Sequence, residues 1–211
     1  NIKGTTIVKT QYDGIESDRY YEEETGYKKS GYIVSKTTDE GYRYGYVNIE
    51  GKQIIENKYN DLYRVTDINS KNVYIICAEN GQYGLMKDGK QIINNEYQSL
   101  VYNESNDTIT ALKGKKYGVF SIDGKQIVPF EYKQIDTTGE YIYATSNDES
   151  VKIFDADGKE ANIDSNLAIL DVENTDYKIY INTADGKTIY TIYKNGKAIT
   201  KKEYVYIEYL N

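Results

Sequence analysis

Six glycines in this chain share one downstream offset. Gly4, Gly51, Gly89, Gly124 and Gly196 are each followed eight residues later by a tyrosine: Tyr12, Tyr59, Tyr97, Tyr132 and Tyr204. Gly158 keeps the same count but reaches Asn166. The intervals between these glycines are 47, 38, 35, 34 and 38 residues. Self-similarity at that period marks a repeat architecture, in which one short unit is copied and each copy hides its apolar face against the next.

The clearest unit runs Tyr83-Gly84-Leu85-Met86-Lys87-Asp88-Gly89-Lys90-Gln91-Ile92-Ile93 and closes at Glu96-Tyr97. Its neighbour runs from Tyr117-Gly118 through Asp123-Gly124-Lys125-Gln126-Ile127-Val128 to Glu131-Tyr132, and an earlier copy from Tyr44-Gly45 to Lys58-Tyr59. Alternating apolar residues predict half-buried antiparallel strands, four per unit, over 44–49, 52–56, 59–66 and 72–78. The Asp-Gly and Asn-Gly pairs predict two-residue hairpins in which both turn residues take positive φ. Ile7, Ile54, Ile92, Ile127 and Ile199 hold one slot across the copies. No segment keeps a capped helical period.

The expected fold is therefore all-β: one domain over 1–211, built as a tandem antiparallel repeat array. The copies divide as 1–43 (partial), 44–82, 83–116, 117–150, 151–189 (degenerate) and 190–211 (partial). Two assemblies fit, an open superhelical array and a five-bladed propeller. The open array is favoured, because both chain ends carry the second and third strands of the unit and so overlap where closure needs complements. Composition agrees with a thin core. There are 25 Tyr against 3 Phe and no Trp, and mean hydropathy is -0.71. Tyrosine suits strands and gives an apolar body with a tip that still reaches water.

The segment Tyr117-Gly118-Val119-Phe120-Ser121-Ile122-Asp123-Gly124-Lys125-Gln126-Ile127-Val128-Pro129-Phe130-Glu131-Tyr132 resembles the bacterial WG-repeat family. The resemblance covers nearly the whole chain and is weakest over 150–190. It departs at one slot: Tyr44, Tyr83 and Tyr117 stand where the family carries Trp. It implies a β-repeat scaffold of the kind found in secreted or envelope-associated bacterial proteins. It implies no catalytic residues.

Several chemistries lack their residues. The chain has no His and one Cys, which removes His-based triads, the commonest zinc ligand and thiolate clusters. No phosphate loop or dinucleotide fingerprint is present, and no cofactor is expected. Cys77, within an apolar run, reads as a buried small hydrophobe. Asp155-Ala156-Asp157-Gly158 has the start of a calcium loop but occupies the turn slot of its sister copies, so a structural turn is expected. A net charge of -7 without basic runs disfavours nucleic acid as a partner. No stretch is long and apolar enough to span a membrane. A first residue of Asn1 leaves room for a removed leader or anchor.

The residues singled out as ligand contacts are Tyr20, Tyr21 and Tyr27. They lie outside the repeat register, in the longest insertion, Glu16 to Gly31, read as a loop. Aromatic side chains presented by a rigid scaffold can stack on sugar rings or anchor a partner protein. The resulting expectation is a non-catalytic binding or scaffold module of a bacterial surface or secreted protein, located outside the cell or in its envelope. Its partner would be a protein or a cell-wall polysaccharide. A carbohydrate-active enzyme using paired carboxylates, with Glu22, Glu23 and Glu24 among the candidates, is the alternative. A structural spacer without a ligand is the third.

Overall fold

The computed structural model describes residues 11–22, 26–65, 72–137, 141–161, 167–171, 177–184, 187–194 and 197–198, with Val8 and Thr175 besides. Every regular element among them is a β-strand. The first sheet holds β1 (Gly14–Glu22), β2 (Gly26–Thr38), β3 (Gly41–Asn48) and β4 (Gln53–Tyr59). The second holds β5 (Asp61–Arg64), β6 (Tyr74–Glu79), β7 (Gln82–Lys87) and β8 (Lys90–Tyr97). The third holds β9 (Ser99–Asn103), β10 (Thr108–Lys113), β11 (Lys116–Ser121) and β12 (Gln126–Tyr132). The fourth has β13 (Gln134–Asp136), β14 (Ile142–Thr145) and β15 (Val151–Phe154), extended by a single bridge from Phe154 to Glu160. The fifth has β16 (Leu167–Asp171), β17 (Tyr177–Ala184), β18 (Lys187–Lys194) and β19 (Lys197–Ala198). Each sheet is an antiparallel meander whose strands follow chain order. The fold is a tandem array of antiparallel β-units.

Sheet boundaries fall just after the closing tyrosines. Each hydrogen-bonded sheet thus joins the last two strands of one sequence copy to the first two of the next. A repeated backbone bond marks the step. Asn60, Gln98 and Lys133 donate their N–H groups to Ala78, Leu112 and Thr145, and Asp13, after Tyr12, donates to Ser35 in the same way.

The turn glycines share one geometry. Gly51, Gly89, Gly124 and Gly158 have φ between 78° and 84°. Gly4 and Gly196 lie outside the described residues. The expectation of a two-residue turn holds at Asp88-Gly89, where φ is 50° and 78° and Lys87 pairs with Lys90. It fails at the other three, where the loop is one residue longer. The N–H of Gly51 bonds the Asn48 carbonyl and the N–H of Asn48 bonds the Lys52 carbonyl; Ser121–Lys125 and Asp155–Lys159 repeat this. Only the glycine then needs positive φ, as in a type I turn closed by a bulge. The longer turns begin with Asn48, Ser121 or Asp155, whose side-chain oxygens accept from the N–H of Lys52, Lys125 and Lys159. Lys87 has no such acceptor, and its copy takes the tighter turn. Asp155 also accepts from the N–H of Asp157, so its carboxylate serves the turn.

These glycines also carry the contact between sheets. A Cβ on Gly89 would lie 2.6 Å from the carbonyl oxygen of Ile54 in the preceding sheet. One on Gly124 would lie 2.6 Å from Ile92 O, and one on Gly158 would lie 2.4 Å from Ile127 O. The isoleucine slot read from the sequence is therefore the seat for the next unit's turn. Ile7 and Ile199 lie outside the described residues.

The Tyr-Gly pair has a different cause. Gly45, Gly84 and Gly118 do not need positive φ. They sit where the partner strand bulges between Tyr44↔Tyr59 and Tyr46↔Ile55, and at the equivalent points of the next two sheets. A Cβ on Gly45 or Gly84 would fall 2.7 Å from Ile55 O or Ile93 O, and on Gly118 2.9 Å from the Phe130 ring. The bulge is pinned by an amide relay. Gln53 donates to the side chain of Asn57, which donates to the carbonyls of Val34 and Arg43 at 2.9 and 3.1 Å. Gln91 and Asn95 repeat this onto Cys77 and Gln82. In the third sheet Phe130 replaces the Asn, and Pro129 sits in the bulge, where a strand can spare a donor.

Apolar clusters fill the spaces between consecutive sheets. Tyr46, Ile55 and Tyr59 of the first meet Leu62, Ile75 and Cys77 of the second. Leu85, Ile93 and Tyr97 of the second meet Leu100, Ile109 and Phe120 of the third. Val119, Val128 and Tyr132 of the third meet Ile142, Ala144 and Phe154 of the fourth. Cys77 is fully buried and its thiol is pushed up by that burial, so it acts as a core residue. Outside the clusters runs a seam of ion pairs. Lys58 of the first sheet meets Glu79 of the second at 3.1 Å; Glu96 of the second meets Lys113 of the third at 2.9 Å. The polarity reverses between the two seams. In both, the ammonium also lies over the closing tyrosine, Lys58 5.0 Å from the Tyr59 ring and Lys113 5.5 Å from the Tyr97 ring.

Two glycine substitutions separate conformation from packing. Gly81 has φ of 75° with nothing near its missing Cβ, whereas Gly124 has φ of 83° and meets Ile92. Gly81→Ala is expected to cost about 1 kcal/mol, the left-handed penalty alone. Gly124→Ala adds an overpacked inter-sheet contact worth about 1–3 kcal/mol more. Urea unfolding of both variants measures the difference.

Candidate functional site

The segment read as a loop is a strand hairpin. Residues 16–22 belong to β1, and 26–31 belong to β2. Its polar, charged sequence suggested a loop, but the ladder needs only regular backbone pairing, and Gly26, with φ of 74°, leads the chain back into the return strand. β1 and β2 are nine and thirteen residues long, against four and six for β5 and β6. The last pair between β2 and β3 is Gly31↔Asn48. Beyond it, Ser30 bulges and Gly26–Lys29 pairs only with β1, so the hairpin leaves the sheet as a two-stranded ribbon. Five residues of strand reach roughly 15 Å at about 3.3 Å per residue.

The three tyrosines chosen from the sequence all lie on this ribbon, but not on one face. Tyr21 pairs with Tyr27 across the ladder, and Tyr20 pairs with Lys28. Successive strand positions alternate faces, so Tyr20 and Tyr27 belong to opposite sides; the side chain of Tyr21 lies outside the described residues. Tyr27 is 74% exposed, the most exposed large hydrophobic residue among those described. Arg19 and Lys29 pair on its side, and Lys29 lies 4.7 Å from the Tyr32 ring centre.

The root of the ribbon holds a cluster that the sequence reading missed. Asp18 on β1 is buried, and its Oδ2 accepts three bonds: from Ser30 at 2.5 Å, from Tyr46 at 2.5 Å and from Arg64 Nη1 at 2.7 Å. Arg64 stands on β5, in the next sheet. It also donates to Ser30 Oγ at 2.9 Å and to the Asn72 carbonyl at 3.3 Å. The ion pair is dry, with side chains 3% and 5% exposed. Arg64 Nε, equally buried, has no acceptor. Gly31 makes room, since a Cβ there would lie 2.5 Å from the Tyr46 hydroxyl. Burial first, and then the hydrogen bond to Asp18, push the Tyr46 phenol well above its ordinary value. The sequence does carry one signal. Asp18 falls on the face of Glu16 and Tyr20, and Arg64 on that of buried Leu62, but nothing local pairs residues 46 positions apart.

This arrangement pairs its charge internally. Four described carboxylates have displaced pKa values, and all are pushed down. Asp13 is held low by the Thr37 N–H, Glu96 by Lys113, Asp123 by Lys87 and Asp148 by Ser150. A general acid for glycoside cleavage is pushed the other way. The side chain of Glu22, and Glu23 and Glu24 altogether, lie outside the described residues. No group of three or more His, Cys, Asp or Glu among the described residues could hold a metal ion.

No family model matches the chain, and no curated protein matches it. Distant likenesses exist among solved structures. A computationally designed protein, Ika8, aligns over 96% of this chain and 66% of its own at 12% identity, with a TM-score of 0.35. A eukaryotic initiation factor aligns over 92% and 56% at 11% identity, TM-score 0.41. Dipeptidyl peptidase 4 of Porphyromonas gingivalis aligns over 89% and 34% at 12% identity, TM-score 0.37. The chain spans between 34% and 66% of the length of these three. At this level of likeness their identities say nothing about its role.

The phenols give a pH test. Burial, aided by Glu96 and Glu131, pushes Tyr97 and Tyr132 up to about 12. A pKa raised in the folded state favours the protonated form there. Its stabilisation is whole below the unfolded value near ~10 and is lost as pH rises through the folded value. Tyrosinate absorbance should therefore titrate in two classes, one near pH ~10 and one delayed toward 12, with unfolding accompanying the second. A single class near ~10 in the folded protein would contradict the burial of the closing tyrosines.

Proposed function

We propose that this chain is a non-catalytic binding module of a bacterial surface or secreted protein, and that the β1–β2 ribbon makes the contact with a protein or a cell-wall glycan. The observation that carries this reading is the ribbon itself. It projects from an otherwise regular array and presents Tyr27 at 74% exposure beside Arg19 and Lys29. An exposed ring flanked by cations can stack on a sugar or anchor in a protein pocket. Contacts on a strand pair cost less ordering on binding than contacts on a free loop. The placement outside the cell rests on the resemblance to WG repeats.

A glycan array and a pull-down from bacterial envelope extract, both with the intact chain, supply the ligand and tell the two partner classes apart. Tyr27→Ala is then expected to weaken capture about tenfold, as for an interface anchor. The melting temperature should stay within ~2 °C, because the side chain is mostly exposed. Tyr20→Ala, from the opposite face, shows which side engages. Wild-type capture by both variants would exclude the ribbon as the contact.

A further inference from the structure

Two departures from the repeat coincide in the first sheet. One is the overlong β1–β2 hairpin. The other is the polar interface that Asp18, Ser30, Tyr46 and Arg64 make between the first and second sheets. Between the second and third sheets the matching slots pack in an apolar cluster. Tyr46 corresponds to Leu85 and Val119, counted from the Tyr-Gly pair. Arg64 corresponds to Tyr102, counted from the Asn60 and Gln98 backbone bonds. An apolar solution was thus available to this sequence, yet it carries a buried ion pair with one guanidinium nitrogen unsatisfied. Such a pair is a poor source of stability, since desolvation offsets most of its attraction, but it fixes geometry when several donors converge on one oxygen.

Position explains the choice. Asp18 pairs with Gly31, the last residue of β2 that β3 reaches, and Ser30 is the first residue past it. A two-stranded hairpin alone is marginal in water. Arg64 reaches this root from the next sheet and grips both strands at once, Asp18 on β1 and Ser30 on β2. The ladder also slips by one residue between Asp18 and Arg19, a bulge that bends the ribbon at the point where it is held.

We propose that Arg64 and Asp18 are positioning residues: a latch from the second sheet that sets the orientation of the ribbon and keeps it ordered. This deepens the reading of the ribbon as the binding element, but its test needs no ligand. Residue-resolved amide hydrogen exchange on the intact chain compares the ribbon, 19–22 and 26–30, with the core strands β6–β8. In Asp18→Asn the ribbon amides are expected to exchange at least about tenfold faster, while β6–β8 change less than about twofold. That variant strands a buried Arg64, so a second one removes both charges. Asp18→Leu/Arg64→Met should recover wild-type melting temperature, as apolar replacements of buried pairs often do. Its ribbon should nevertheless keep the faster exchange. Wild-type ribbon protection in the double variant would overturn the proposal, because packing alone would then hold the ribbon. So would exchange that rises equally in ribbon and core. A latched ribbon whose Tyr27→Ala variant captures envelope ligands normally would leave the latch standing and remove only the binding role.

Discussion

Successive sheets touch where a turn glycine rests against the isoleucine carbonyl of the preceding sheet. Gly89 on Ile54, Gly124 on Ile92 and Gly158 on Ile127 are the same contact made three times. No residue with a Cβ can make it, and no residue but glycine takes its φ without strain. The contact fixes how far apart neighbouring sheets sit and in what register. The apolar clusters then have a defined gap to fill, and tyrosine fills it with a ring inside and a hydroxyl near the edge. Stability in such an array belongs to the interfaces more than to the sheets.

A second constraint acts within each sheet. The bulge opposite Tyr-Gly brings the fourth strand over the third, and the Gln–Asn amide relay ties that bulge to two other strands. The bulge also interrupts the outer strand, which blunts an edge that could pair with other chains. Where the relay is lost, Pro129 and Phe130 substitute stiffness and aromatic packing: Phe130 stacks 5.4 Å from Tyr97.

Much of this is legible in the sequence. The Gly-to-Tyr offset, the isoleucine slot and the alternation describe contacts that recur, and recurrence is visible in a sequence. What was misread does not recur. Asp-Gly and Asn-Gly pairs predict two-residue loops because both residues take positive φ, yet the Tyr-to-Gly spacing is one residue longer in Tyr44–Gly51 and Tyr117–Gly124 than in Tyr83–Gly89, which is the signature of the longer turn. The polar insertion Glu16 to Gly31 predicts a loop, yet its backbone pairs as a regular ladder. The Asp18–Arg64 pair joins distant positions once only, so no internal comparison could expose it.

The reversed ion-pair seams bear on how such a gene can change. Repeats of this kind tend to grow and shrink by loss or duplication of whole copies. Losing the second sheet would bring Lys58 against Lys113, cation facing cation, over the same tyrosine slot. Each pair is worth under about 1 kcal/mol on its own. Together they make adjacent copies complementary and skipped neighbours mismatched, so the units are alike in shape yet carry a sense of order and are not freely exchangeable.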